Sequence, residues 1–263
     1  MSDRIEDLED PRLAPYVHVG DAAWLRDRDL FVAEGRLVVE RLLDAGVFDV
    51  HSILVTPAAE RALDARLSSA SAPVLVCDQP LLNGITGFNF HRGCLALARR
   101  PAPVRLDAWL ERDGILLALE GVGNPDNVGG LLRTGRAFGV DGVVLGPGCG
   151  DPLYRKAIRV SCGAALVVPF AHDPDWPRAL GVIRHHGIEL VALSPNPSLP
   201  SIDDVAARRA PSRGVALLLG AEGPGLTDAA LDAADVKARV PIDAASDSLN
   251  VTVAAAVALH VFR

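Results

Sequence analysis

Three short segments of the chain carry the side chains best suited to chemistry. In the first, Asn124–Gly139 (NPDNVGGLLRTGRAFG), Asn127 falls at an expected strand-to-helix turn. Gly129 and Gly130 let backbone approach closely there, and Arg133 and Arg136 follow at i and i+3, sharing roughly one helix face. Glycines at a helix N-terminus also present N–H groups to an anion. Alone, the segment reads as well as a helix capped by Asn127 with solvated arginines. The second segment, Leu217–Leu226 (LLLGAEGPGL), is an apolar strand running into Gly220, Gly223 and Gly225. Such a strand end leaves bare backbone groups facing a crevice, where α/β sheets bind small ligands. Glu222 in that turn is either a site carboxylate or a surface one. In the third, Val240–Ala256 (VPIDAASDSLNVTVAAA), a strand end at Val240-Pro241 and a polar loop lead through Ser248-Leu249-Asn250 into an Ala-rich helix. By itself this is a helix start with Ser248 as its cap.

The elements that must position these segments follow from periodicity. GILLALEGV (114–122), DGVVLGPG (141–148), VVPF (167–170), IELVALSP (188–195), GVALLL (214–219) and ARVPI (238–242) read as buried strands. Helices are expected over 126–140, 154–166, 176–187 and 248–263. Strands alternating with helices imply a parallel sheet covered on both faces. Ahead of this lies a smaller α/β unit. The spacing predicts a helix from Leu30 to Ala45, strands over 51–56, 73–77 and 93–98, and a helical stretch AAERALDARLSSA between the first two strands. RRPAPVRL (99–106), with two prolines and three arginines, reads as a linker. The expected organisation is a polar N-terminal arm (1–24), a small α/β domain (25–104) and a larger one (105–263).

Composition narrows the classes. Apolar residues make up 49% and charged residues 22%, an ordinary globular balance. No apolar run reaches the roughly 18–20 residues of a membrane span, and the acidic start MSDRIEDLEDPRL lacks a signal-peptide core, so a cytoplasmic protein without membrane contact is expected. Cys77, Cys94, Cys149 and Cys162 form no CxxC pair, and His185-His186 stands alone, so no metal is expected. The net charge of −7 argues mildly against a nucleic-acid partner, but 24 of the 26 basic residues are Arg, the better phosphate ligand.

In combination and in order, the three segments resemble the signature motifs of the SpoU (TrmH-like) family of RNA methyltransferases, within the SPOUT superfamily. The first motif, N-x-G-x-x-x-R-x-A-x-x-F-G, is matched by Asn127, Gly129, Arg133 and Phe138-Gly139, with Gly135 where the alanine is usual. The second, G-x-E-x-x-G-L, is matched by Gly220, Glu222, Gly225 and Leu226. The third is matched by Val240-Pro241 and Ser248-Leu249-Asn250. The resemblance covers about residues 112–263. FVAEGRLVVERLL and FNFHRGCLAL in the front unit resemble, more loosely, the family's auxiliary L30e-like RNA-binding domain, where His91 and Arg92 could touch RNA.

This resemblance implies an α/β fold whose C-terminal parallel sheet is tied in a trefoil knot. It implies S-adenosyl-L-methionine (AdoMet) held mostly by backbone at Leu193, Gly220, Val240 and Leu249. It also implies transfer of its methyl to a ribose 2′-hydroxyl of RNA, rRNA ahead of tRNA, and a homodimer formed through the knotted domain. Arg133 would be the central catalytic residue, with Asn127, Glu222, Ser248 and Asn250 around it. A guanidinium stays protonated above pH 12, so Arg133 is better suited to hold a phosphate and a developing alkoxide than to act as a base. Two rivals stand beside this. A dinucleotide-binding oxidoreductase fails because Asp126 falls where the third glycine after Gly121-Val122-Gly123 should be. A non-catalytic binder of RNA or AdoMet would not need Asn127, Arg133, Glu222 and Ser248-Leu249-Asn250 together.

Overall fold

The computed structural model describes residues 2–87, 92–106, 110, 114–208 and 214–263; His91 lies outside them. In chain order the first elements are β1 (Ser2–Arg4), α1 (Ala14–Val17), α2 (Ala22–Arg26), β2 (Leu30–Glu34), α3 (Arg36–Ala45), β3 (Val50–Val55), α4 (Pro57–Ser69), β4 (Val74–Val76), α5 (Gln79–Thr86) and β5 (Cys94–Arg99). There follow β6 (Gly114–Leu119), α6 (Pro125–Phe138), β7 (Gly142–Leu145), α7 (Arg155–Val160), β8 (Phe170–His172), α8 (Trp176–His185) and β9 (Ile188–Leu193). The chain ends with α9 (Ile202–Ala207), β10 (Gly214–Leu219), α10 (Asp228–Ala233), β11 (Val236–Ala238) and α11 (Val251–Phe262). The chain divides into two compact units, Met1–Ala102 with Leu153–Val167, and Pro103–Pro152 with Val168–Arg263.

The first unit is a five-stranded mixed sheet in the order β1-β4-β3-β5-β2. β1, β4 and β3 run parallel, and β5 is antiparallel to both its neighbours. The core includes Leu13, Tyr16, Val32, Leu54, Leu75 and Leu97. Three expectations are corrected here. Residues 1–24 are no arm: β1 pairs with β4, and Tyr16 is fully buried with its hydroxyl 2.9 Å from Ser52 Oγ. Ile5, Leu13, Tyr16 and Val19 of this stretch belong to the core, at about 1.5–3 kcal/mol per large side chain. The helix expected from Leu30 begins only at Arg36. Leu30–Glu34 is buried along its whole length as β2, and Gly35 at φ +92° turns the chain between the two. The stretch 153–167 also belongs here, although it lies within the expected second domain. Ala157 and Ile158 are buried, α7 packs on β2, and the helix stops early, at Val160. Cys162 (φ +52°) and Gly163 (φ +80°) break it before a short 3-10 turn.

The second unit is a six-stranded, fully parallel sheet in the order β11-β9-β10-β6-β7-β8. Its buried strands read as continuous apolar runs because both faces are covered. Leu116, Ala118, Leu190 and Leu218 pack with Trp176 and Ile183 of α8. From β6 the chain builds outward through β7 and β8, then crosses to lay β9 and β10 on the other side. β6 and β10 are therefore where strand order reverses, the place at which open α/β sheets form a crevice beyond the strand ends. The strand expected over 238–242 lies earlier, at Val236–Ala238, paired with β9; Arg239 continues only as a single bridge to Ser201.

Candidate active site

All three segments with candidate chemistry belong to the second unit, at or beyond the C-terminal ends of its strands. β6 ends at Leu119, and α6 starts six residues later with Asn124 as its cap, the side chain accepting from Asp126 N at 2.9 Å. Pro125 at the first helical position needs no donor there. Asn127, read from sequence as a candidate cap, lies instead in the first turn and is buried, so its carboxamide is free for another task. Asn250 Nδ2 donates to Asn127 Oδ1 at 3.0 Å and to Glu222 Oε1 at 2.7 Å. The Asn250 oxygen accepts from Thr252 N at 2.9 Å and so caps α11. The cap is therefore Asn250 and not Ser248. Because the oxygen is committed to a backbone N–H, the nitrogen must face the two acceptors.

Residues from three separated segments thus meet through one side chain. Close packing of their elements makes this possible. At Gly130 on α6 a Cβ would lie 2.8 Å from Thr252 Oγ1, so only glycine lets α11 come this near without a shift. The 220–226 loop folds back on itself: a Cβ on Gly220 would lie 2.3 Å from the carbonyl carbon of Gly225. Ala221 and Gly225 form an antiparallel bridge.

Arg133 and Ser248 are not drawn into this hydrogen-bonded group. Arg133 lies six residues along α6 from Asn127, about 9 Å of helix rise. It is exposed and, among the described residues, has no hydrogen-bond or ion-pair partner. Arg136 is exposed too. Ser248 is exposed, and its carbonyl accepts weakly from Ser246 Oγ at 3.5 Å.

The four residues expected to hold a cofactor flank the ends of neighbouring strands. Leu193 closes β9 and pairs with Ala238, Gly220 follows β10, Val240 lies just beyond β11, and Leu249 precedes α11. All four are half-buried. Two further residues shape the same region. Glu120, at the end of the apolar run GILLALE, is buried and accepts from Thr227 N and Thr227 Oγ1, both at 2.9 Å. It ties the far end of the 220–226 loop to β6. A lone acid closing an otherwise apolar strand was the available sequence signal. Cys149 donates from Sγ to the Leu119 carbonyl at 3.2 Å, and burial pushes its thiol above the ordinary range, so it serves as a donor and not as a nucleophile. Among the described residues no group of three or more His, Cys, Asp or Glu could hold a metal ion, and no helix is long and apolar enough to cross a membrane.

A parallel sheet whose loops gather two carboxamides and a carboxylate at its reversal point defines an α/β ligand-binding unit with an enzyme-like polar cluster. Comparison with known proteins supplies the particular family. A family model described as the SpoU rRNA Methylase family matches residues 114–260. An uncharacterized tRNA/rRNA methyltransferase of Mycobacterium bovis is 38% identical over 258 residues, 97% of this chain and 89% of that protein. The 23S rRNA (guanosine-2'-O-)-methyltransferase RlmB of Bordetella pertussis is 33% identical over 183 residues, 68% of this chain and 73% of RlmB. An AdoMet-bound rRNA methyltransferase from Sinorhizobium meliloti shares the fold, with a TM-score of 0.85 at 22% identity over 100% of this chain and 97% of that one. The chain belongs to the SpoU rRNA methylase family.

Proposed function

We propose that this protein transfers a methyl group from AdoMet to a ribose 2′-hydroxyl in rRNA, acting in the cytoplasm as a homodimer. The observation that carries the reading is the convergence of Asn127, Glu222 and Asn250 through the Asn250 carboxamide, in a chain of this family. The rRNA target is supported by the matched family and by the RlmB relatives.

AdoMet, when bound, supplies a methyl on a sulfonium sulfur. The residues present fit such a group: half-buried apolar Leu193, Val240 and Leu249 suit an adenosyl moiety, and the backbone around Gly220 offers hydrogen bonds to its edges. The rest is done by this chain's side chains. Asn250 holds the Glu222 carboxylate with its free oxygen available to accept the hydroxyl proton, and Asn127 holds Asn250. In this reading Arg133 takes the target phosphate and stabilises the developing alkoxide, a role supported by its exposure and by its lack of a partner among the described residues. Ser248 lies in the loop that enters this region and is assigned a substrate contact. The trefoil knot and the L30e-like character of the first unit are part of the same proposal, motivated by the motif order and by the placement of β10 between β6 and β9. Homodimer formation through the second unit is supported by Val253 and Val257, 48% and 38% exposed one turn apart on α11.

The test is methyl transfer from labelled AdoMet to bacterial rRNA, with the product mapped for 2′-O-methylation. Arg133→Ala should reduce transfer by at least about a hundredfold, the scale of lost transition-state stabilisation by one charged donor, while AdoMet binding by calorimetry is unchanged. Near-full activity of that variant would remove Arg133 from the mechanism. AdoMet binding without transfer to any RNA would favour a non-catalytic binder.

A further inference from the structure

The loop that carries Glu222 is poorly suited to hold a side chain still. Between β10 and α10 it reads Gly220-Ala221-Glu222-Gly223-Pro224-Gly225-Leu226. Glycine gives backbone wide freedom, and that freedom must be removed if the carboxylate is to keep one place. Glu222 itself is exposed, and among the described residues its one side-chain hydrogen bond comes from Asn250. The proton transfer assigned to Glu222 depends on its placement, since displacing a reacting group by about 1 Å can cost about a hundredfold in rate. The bridge between Ala221 and Gly225 ties the loop to itself but leaves its orientation to its two ends.

One residue grips both ends. Glu120 is buried, directly after β6. Its backbone N–H donates to the Leu219 carbonyl at 2.9 Å, just ahead of the loop. Its carboxylate accepts from Thr227 N and Thr227 Oγ1, each at 2.9 Å, just behind the loop. Both carboxylate oxygens are in use, and Thr227 Oγ1 in turn accepts from Ala230 N at 3.2 Å as the cap of α10. A carboxylate suits two donors because it offers two acceptor oxygens where a carboxamide offers one. The neighbouring Gly121 lies against the loop, and a Cβ there would stand 3.1 Å from Ala221 Cβ. Glu120 is itself held from the side of the sheet. Gly121 N donates to the Pro147 carbonyl at 2.9 Å and Gly146 N to the Leu119 carbonyl at 2.8 Å, which fixes this strand end to the turn after β7.

We propose that Glu120 is a positioning residue for methyl transfer, clamping the 220–226 loop at both ends so that Glu222 stays on the Asn250 carboxamide. The proposal rests on the reading of the protein as an AdoMet-dependent methyltransferase in which Glu222 takes the hydroxyl proton. Glu120 touches neither substrate nor cofactor in this role; it acts through Thr227 and the loop.

The test uses the full chain, labelled AdoMet and deproteinised bacterial rRNA, with Glu120→Gln, Thr227→Val, Thr227→Ser and Glu222→Ala, each assayed well below its melting temperature. Glu120→Gln and Thr227→Val should each lower kcat about 10- to 100-fold. AdoMet affinity by calorimetry and KM for rRNA should stay within about twofold, because the front of the loop keeps its backbone bond to Glu120. Thr227→Ser, which keeps the hydroxyl, should recover most of the loss. In a Glu222→Ala background, followed by single turnover, Glu120→Gln should lower the rate no further, since the loop then has no carboxylate to place. Hydrogen exchange of the 220–227 amides should be faster in Thr227→Val than in the parent, with 114–119 unchanged. An unchanged kcat in both Glu120→Gln and Thr227→Val overturns the proposal and leaves the function standing. So does a further fall of equal size in the Glu222→Ala background, which would make Glu120 a structural prop alone. Should Glu120→Gln fail to fold, Thr227→Val and its serine counterpart decide by the same readings. If the parent transfers no methyl to RNA, the function and this role fall together.

Discussion

At Asn250 a single carboxamide closes a helix and joins two other segments. Replacing it by Ala removes the cap, worth about 1 kcal/mol, and leaves the buried Asn127 oxygen without its donor, about 1–3 kcal/mol more. Asn250→Asp separates the roles. Aspartate caps as well as asparagine does, but it sets a carboxylate against Glu222 where a donor now stands 2.7 Å away. The expected outcome is a clear loss of melting temperature for Asn250→Ala, a smaller one for Asn250→Asp, and at least about a tenfold fall in methyl transfer for both. Normal activity of the Asp variant would show that capping is all Asn250 does. At this scale the sequence was informative about membership and poor about roles. Asn127, Glu222 and Asn250 were each singled out, yet the sequence offered Asn127 and Ser248 as caps where Asn124 and Asn250 serve. Short polar residues near a helix start are chemically alike, and only the fold decides which one has a partner across the chain. Glu120 went unnoticed because its partner, Thr227, lies 107 residues away.

At the scale of elements, the packing of α6 on α11 holds the site together, and at Gly130 the two approach too closely for a side chain. Gly130→Ala should destabilise the protein by about 1–3 kcal/mol through overpacking. Because the nearest atom is Thr252 Oγ1 at 2.8 Å, adding Thr252→Ala should recover much of the loss. A double-mutant cycle in denaturant measures this coupling, and additive effects would show that the contact is not what limits the approach. The parallel sheet of the second unit was legible in the residues alone, through the alternation of apolar strands and helices. β2 was hidden because FVAEGRLVVERLL carries apolar residues at a spacing that suits a helix throughout, and the strand half declares itself only through its pairing with β5. The brevity of α7 was hidden in the same way, since nothing in composition announces that Cys162 takes φ +52°.

At the scale of the whole molecule, charge and association are the testable properties. Of the two units, the first carries 14 basic and 15 acidic residues and the second 12 and 18, so the first is the nearer to neutral. Burial pushes the Cys94 thiol up to about 12 and the Cys77 thiol up to about 11, from an ordinary value of 9.0. The folded chain therefore keeps protons that the unfolded chain releases above pH 9. Stability from these groups is complete below that pH and declines as pH rises toward 12. The denaturant midpoint should be level near pH 8 and fall from about pH 9 upward, less steeply in a Cys77→Ala, Cys94→Ala variant. Light scattering should report a dimer for the parent chain and a monomer for Val257→Asp, which places a charge on the exposed stripe of α11.

The stretch 153–167 that completes the first unit also has a consequence in time. A polypeptide leaves the ribosome from its N-terminus, and most N-terminal domains close as soon as their last residue is out. Here the strands of the first sheet are all made by Arg99, but α7, which covers β2 and supplies two of the cations around the buried Glu34, is not synthesised until much later. At about 5–20 residues per second the nascent sheet waits several seconds with one flank bare. Over that interval the newborn chain presents an apolar surface and an incompletely neutralised acid to whatever meets it first, which makes this stage of synthesis the natural point for a chaperone to engage.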